Sequence, residues 1–370
     1  MSLQFLEALD GAEHEQVQIL QEPEIGFYAL LAIHDTRNGP AFGGVRRLAY
    51  RNGAEALRDV LLLSRAMTYK CLMAGVAGGG GKTVLLDLPE TDLPAAYRRI
   101  GRHVENMGGR YYTGPDVGTG PRELGWLSEA TGFVTRPDET GPGDLGRATA
   151  RGVFAGIGAV CRHLAHEDSR FPSDPQAMGL EGVRILVQGL GEAGGELAVM
   201  LAEAGACVLA AELKPDVLEW AVDQHGVEPV DPEEVYETEC DILAPCALGG
   251  VLHDLTVGRL RCRAIAGSAN NILTRPEIAH ILQDRGILVA PDFVINSGAL
   301  IQGAGFHLHG ERHLEDAIDR IGDELLELFA RAESEGIPPP LLAERIAQER
   351  LGSTEGKPWF PQRDREAGGR

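Results

Sequence analysis

The sequence predicts an α/β protein of two domains, the second built on a mostly parallel sheet. Three observations carry this. At roughly 150 residues per domain, 370 residues make about two. Residues 136–147, RPDETGPGDLGR, form a Pro/Gly/charge-rich stretch between periodic segments and mark a boundary near residue 145. From residue 182 onward short apolar runs alternate with helical patterns, which puts helices on both faces of a parallel sheet.

Residues 26–35 (GFYALLAIHD) read as a buried strand, followed by a glycine-rich turn over 38–44. Leu57, Val60, Leu61, Ser64 and Met67 recur at helical spacing, so 54–68 is an amphipathic helix running towards Lys70. A glycine run, 77–81, precedes Lys82 and a short strand over 83–87. Residues 95–106 read as a helix and 111–116 as a strand ending in a loop. A helix over 149–165 leads into the second domain. There 183–188, 207–211, 240–244, 264–266 and 287–289 are strands, and 192–204 and 217–224 are helices. A long helix over 312–334 is expected to stop at Pro338-Pro339-Pro340, and the polar tail after Pro361 to fray.

Composition narrows the function. Acids outnumber bases, 55 to 34, for a net charge of -21. That balance argues against nucleic acid or an anionic membrane as the partner. The hydrophobic fraction of 44% excludes global disorder. Residues 1–15 have no apolar signal-peptide core, and no apolar run near them could span a bilayer. Cys71, Cys161, Cys207, Cys240, Cys246 and Cys262 form no C-x-x-C pair and read as reduced thiols of a cytoplasmic protein. Cys161-Arg162-His163 with His166, and His307-Leu308-His309, lack a fourth ligand, so no metal site is expected. Trp126, Trp220 and Trp359 read as core or interface anchors.

Gly189-Leu190-Gly191-Glu192-Ala193-Gly194 is G-x-G-x-x-G, with Gly195 beyond it. A strand precedes it, a helix follows, and Glu212 ends the next strand. In that context the first glycine permits the tight turn, the second lets backbone approach a pyrophosphate, and the third packs helix on strand. The helix N-terminus offers N–H groups to phosphate. Glu212 would accept from the ribose hydroxyls and repel a 2′-phosphate, which favours NAD over NADP.

Lys70 and Lys82 flank the glycine run. A lysine held beside close backbone and near another cation loses solvation, and both effects lower its pKa towards that of a general base. GGGGKT also resembles the end of a nucleotide P-loop, but the leading glycine would have to be residue 76, which is Val76. By itself Asp116 after Gly114-Pro115 reads more readily as a turn or capping aspartate than as a site residue, and Asn270-Asn271 has the same alternative as a turn.

Together the segments GPAFGG (39–44), MTYK (67–70), GGGGK (78–82), TGPDVGT (113–119), VQGLGEAGG (187–195), APCALGG (244–250), AGSANN (266–271) and APDFVINSG (290–298) resemble the glutamate/leucine/phenylalanine/valine dehydrogenase family. The resemblance implies an N-terminal α/β substrate and oligomerisation domain and a C-terminal Rossmann-type NAD-binding domain, with the active site in the cleft. It implies a substrate domain of 1–145 to which about 326–370 returns, with 146–325 binding the dinucleotide. Lys82 resembles the catalytic lysine and Asp116 the catalytic aspartate. Lys70 resembles the lysine that binds the α-carboxylate, and Asn270 the asparagine near nicotinamide and substrate. Thr149 matches a cofactor-binding position, and Gly43-Gly44 would approach the substrate backbone. Two departures are Ser297-Gly298-Ala299, where A-G-G is usual, and Gly146-Arg147, where Ser-Pro is usual.

The implied activity is reversible oxidative deamination of an L-amino acid to a 2-oxo acid, ammonium and NADH, by a homo-oligomer. Phe42 takes up space at the side-chain pocket and argues for a leucine/valine/isoleucine-type substrate. Gly114 opens room and pulls towards L-phenylalanine, and Val294 is expected to line the same pocket. A glutamate substrate would need a second basic group that is not evident. A non-catalytic NAD sensor would not need Lys70, Lys82 and Asp116 together.

Overall fold

The computed structural model describes residue 9 and residues 11–174 and 179–354. The tail after Pro361 and Trp359 lie outside them. The chain divides into two compact units. The first holds residues up to Gly143 and from Gln348 on, and the second is Asp144–Ala347.

The first unit is built on a sheet with β1 (Gln16–Glu22), β2 (Phe27–Asp35), β3 (Ala41–Phe42), β4 (Val45–Leu48), β5 (Gly79–Leu86) and β6 (Tyr111–Tyr112). The order is β1-β2-β5-β3-β6, with β4 also pairing β5. β1 to β2 and β2 to β5 are antiparallel, whereas β3 and β4 run parallel to β5. Helix α1 (Gly53–Met73) covers one face, where Leu57, Val60 and Leu61 meet Leu30, Ala32 and Val84. Helices α2 (Leu93–Asn106) and α3 (Pro121–Ser128) cover the other, closing over Tyr97, Ile100, Tyr111, Leu124 and Leu127. The Asn52 side chain accepts from Glu55 N and that of Asp92 from Ala95 N, two N-caps that fix where these helices begin.

The glycine run departs from expectation. Gly79, Gly80 and Gly81 already belong to the strand that was expected to begin at residue 83. A methyl group at Gly80 would overlap the Ser64 carbonyl and Thr68 N of α1, and one at Gly81 would press on Tyr111 at 2.8 Å. The glycines let helix and core close onto β5, which fixes the height of Lys82 beside them.

The second unit opens with α4 (Leu145–Leu164). Its sheet comprises β7 (Arg184–Gln188), β8 (Cys207–Ala211), β9 (Glu228–Pro229), β10 (Ile242–Pro245), β11 (Ala264–Ile265) and β12 (Leu288–Val289). Every pair is parallel and the order is β12-β11-β10-β7-β8-β9. This is the doubly wound dinucleotide-binding order, with its reversal between β7 and β10. Helices α5 (Glu192–Glu203) and α6 (Pro215–His225) follow β7 and β8. Then come α7 (Glu277–Asp284), α8 (Asp292–Ile295), α9 (Gly298–His309) and α10 (Glu315–Glu335).

The chain leaves the second unit at Ala347, not near 326. The reason is α10, which packs along α4: Ile321 fills the space over Gly152, Leu325 that over Gly156, and Arg151 forks onto Asp319 at 2.7 and 2.6 Å. The three prolines do end the long helix, but Pro339 also opens α11 (Pro339–Ser353), since proline suits a first helical turn. Trp126 packs against the first core, whereas Trp220 is 48% exposed and meets His225 edge-on with ring centroids 4.9 Å apart. Among the described residues no helix is long and apolar enough to cross a membrane.

Candidate active site

In the first unit, strand alternation sets the site. Phe42 pairs with Gly80 and with Tyr112, so Phe42, Tyr112, Gly80 and Lys82 share the α1 face of the sheet. Arg46, paired with Val84, is on it too. Between β3 and β4, Gly43 lies against Gly81 O and Gly44 against Pro115 O, both too close for a Cβ. Their backbones tie three segments together: Gly43 N donates to Tyr112 O (3.1 Å), Thr83 N to Gly44 O (3.1 Å) and Val45 N to Gly114 O (3.0 Å). These glycines therefore meet protein backbone, and they bring the loop that carries Asp116 to the edge of β5.

Lys82 is 5% exposed and its ammonium contacts Asp116 Oδ2. Burial pushes the Lys82 pKa down to about 7. The charges of Arg46 and Lys70 act in the same direction, and Asp59 opposes them. Asp116 Oδ1 accepts from Val117 N at 2.6 Å and from Arg46 Nε at 3.1 Å. Lys70 sits in the last turn of α1, half-buried and near enough to act on Lys82. Phe42 is 4% exposed and stacks on Tyr112 at 5.3 Å. A Cβ at Gly114 would meet Thr135 Cβ at 3.3 Å, so Thr135 occupies the room that glycine was expected to open.

Arg46, Asp59 and Tyr50 were not anticipated. The charge signal was available: Asp59 and Lys70 are eleven positions apart on α1, three helical turns, which aligns them on one face.

In the second unit the loop after β7 has the shape a pyrophosphate needs. Gly189 adopts φ +95°. A Cβ at Gly194 would strike Gly189 O, while one at Gly191 would meet nothing within 4 Å. Gly191 is the N-cap of α5, and Leu190, Glu192, Ala193 and Gly195 complete the turn. Glu212 holds this loop, accepting from Leu190 N (2.7 Å), Leu213 N (2.8 Å) and Lys214 N (3.0 Å). Burial would raise the Glu212 pKa, but these three donors outweigh it and hold it below the ordinary carboxylate value. The open second glycine, the helix N-terminus and an ionised acid after β8 fit a dinucleotide.

Asn270 follows β11. Its Oδ1 accepts from Asn296 Nδ2 at 2.8 Å, and the same amide donates to Ser268 O at 3.0 Å, which orients Asn270. Thr149 lies on α4 with its hydroxyl on Leu145 O (2.9 Å). Val294 is 2% exposed within α8, on the second unit, whereas Phe42 and Gly114 belong to the first.

The family model "Glu/Leu/Phe/Val dehydrogenase, dimerisation domain" matches residues 14–132. The "Glutamate/Leucine/Phenylalanine/Valine dehydrogenase" model matches residues 212–305. The chain is 39% identical to a leucine dehydrogenase of Geobacillus stearothermophilus, over 94% of each chain. It is 40% identical to a phenylalanine dehydrogenase of Thermoactinomyces intermedius, over 93% of each. The crystal structure of L-tryptophan dehydrogenase from Nostoc punctiforme is similar at a TM-score of 0.78 and 35% identity, covering 94% of this chain and 98% of that one. Identity at this level over nearly the whole length makes the chain an amino acid dehydrogenase, an oxidoreductase dependent on a pyridine nucleotide, and a member of the glutamate/leucine/phenylalanine/valine dehydrogenase family.

Proposed function

We propose that this enzyme oxidatively deaminates an aliphatic L-amino acid of the leucine, valine and isoleucine type, with NAD as its dinucleotide. The observation that carries the chemistry is Lys82: buried, in contact with Asp116, and with a pKa brought down to about 7. In its neutral form it can take a proton from water attacking the substrate iminium, and its ammonium form then stabilises the carbinolamine oxygen. Asp116 Oδ2 carries protons to and from the amino nitrogen. Lys70 pairs with the α-carboxylate and orients the Cα–H, and Asn270 steadies the substrate. The bound dinucleotide supplies the hydride acceptor. Glu212 supports NAD, because its ionised carboxylate repels a 2′-phosphate.

Phe42 supports the aliphatic side chain. Its ring is pinned between Tyr112 and Gly78 on the sheet face that carries Lys82, and Thr135 fills the space beside Gly114. Phe42→Ala should raise kcat/KM for L-phenylalanine relative to L-leucine by about 10-fold or more, as initial rates would report. An unchanged ratio would remove Phe42 from the specificity argument.

The reaction itself is tested by stoichiometry: NADH and ammonium should appear in equal amounts as amino acid is consumed. NADH without ammonium would overturn it. We also propose a cytoplasmic homo-oligomer, supported by the match to a dimerisation domain over residues 14–132, the charge of -21 and six free cysteines.

A further inference from the structure

We propose that Arg46, clamped between Asp59 and Asp116, is the positioning residue of the Lys82–Asp116 pair. The inference rests on the reading of Lys82 as base and Asp116 as proton carrier.

Arg46 occupies the middle of β4 and its planar guanidinium spans two carboxylates. Nε donates to Asp116 Oδ1 at 3.1 Å, while the NH1 nitrogen reaches both Asp59 oxygens at 3.4 and 3.3 Å. The side chain is 19% exposed, so the fork is partly shielded from water. Asp59 is itself held from behind, because the Tyr50 hydroxyl donates to its Oδ2 at 2.5 Å. Burial, and then the contact with Asp59, push the Tyr50 pKa up, so the phenol stays a donor. The chain of contacts runs Tyr50, Asp59, Arg46, Asp116, Lys82, all within the first unit.

This arrangement selects which oxygen does the chemistry. Arg46 Nε and Val117 N both occupy Oδ1 of Asp116, and Oδ2 alone meets Lys82. The next residue secures the same loop from the other sheet face: Arg47 Nε donates to Gly118 O at 3.0 Å and Arg47 N to Val117 O at 2.9 Å. A lysine at position 46 would keep a positive charge but not a rigid fork that reaches two carboxylates.

Four charges act on the Lys82 ammonium. Asp116 touches it from the loop, Arg46 lies on β4, and Asp59 and Lys70 lie on α1. Arg46 and Asp59 push its proton affinity in opposite directions. Removing each in turn must therefore displace the pH dependence in opposite senses, which a general loosening of the fold would not do.

The experiment is a pH profile of kcat for the full-length enzyme and the variants Arg46→Met, Arg46→Lys and Asp59→Asn. It would use saturating dinucleotide and the amino acid that the wild type oxidises fastest. NADH titration checks each variant's second unit. Arg46→Met is expected to lower kcat by about 100-fold and to move the rising limb to higher pH. Asp59→Asn should move that limb to lower pH with a smaller loss. Arg46→Lys should lower kcat yet leave the limb near its wild-type place. Unmoved limbs, or limbs that move the same way in Arg46→Met and Asp59→Asn, would overturn the proposal. Should Arg46→Met not fold, opposite behaviour of Arg46→Lys and Asp59→Asn still decides it: an unmoved limb in the first with a downward shift in the second supports the clamp, and any other pattern counts against it. Lys82→Ala separates the two levels. If it retains turnover, the catalytic reading fails; if it is inactive while the limbs stay put, only the clamp fails.

Discussion

Lys82→Ala should lower kcat by about 10³- to 10⁴-fold while leaving NADH binding intact. The size follows from where the amine sits. Lys82 is 5% exposed on β5 and its ammonium contacts Asp116. Alanine removes the base that takes the proton from water and the cation that stabilises the resulting oxygen. The wild-type enzyme should gain activity as pH rises through about 7, where the buried amine becomes neutral. The same shift bears on stability. The folded pKa lies below the ordinary 10.5, so between these values the unfolded chain holds the extra proton. The stability contribution is full above 10.5 and is lost as pH falls towards 7. Lys82→Ala should flatten that dependence in thermal melts. A variant within tenfold of wild-type kcat would show that Lys82 is not the base.

Gly80→Ala should unfold or strongly destabilise the first unit, by about 3 kcal/mol or more. At 2–4 °C per kcal/mol that corresponds to a fall of roughly 6–12 °C in Tm. The cause is steric. A methyl group at Gly80 points into the backbone of α1, at Ser64 O and Thr68 N, and backbone in a helix cannot step aside. Either α1 lifts, carrying Lys70 and Asp59 with it, or β5 sinks towards Tyr111. Gly53→Ala, at the open start of the same helix with nothing within 4 Å of the added carbon, is the control. It should leave Tm unchanged or slightly higher. A Gly80→Ala enzyme with wild-type Tm and impaired substrate binding would instead give the glycine run a direct part in binding.

What could be read from the chain followed from how local each signal is. The turn from Gly189 to Gly194 and the acid at Glu212 lie within one strand–turn–helix–strand unit, so spacing alone located them. The helices at 53–73 and 315–335 carry long apolar stripes and were visible for the same reason. β3 has two residues and carries no periodicity, so nothing in sequence distinguished it from the glycine-rich turn around it, whereas β6 falls at the start of the strand read over 111–116. Glycine presents no side chain to a pattern, which is why the strand read from the sequence began at 83 although Gly79 to Gly81 already belong to it. Pro338 to Pro340 were read only as a stop, because proline marks both the end of one helix and the first turn of another. Arg46 was invisible as a site residue for a different reason: its partners are 13 and 70 positions away, and only the fold brings them together.

The proposed chemistry is that of a buried lysine base serving an aliphatic L-amino acid with NAD. It is tested most directly by the initial rate of NADH formation in alkaline buffer. L-leucine, L-valine, L-isoleucine, L-phenylalanine and L-glutamate would be offered separately, with NADP+ replacing NAD+ in a parallel series. Turnover should be fastest for the branched aliphatic acids with NAD+, much slower with NADP+, and lost altogether in Lys82→Ala. L-phenylalanine outrunning every aliphatic acid, or equal rates with NADP+, would contradict it.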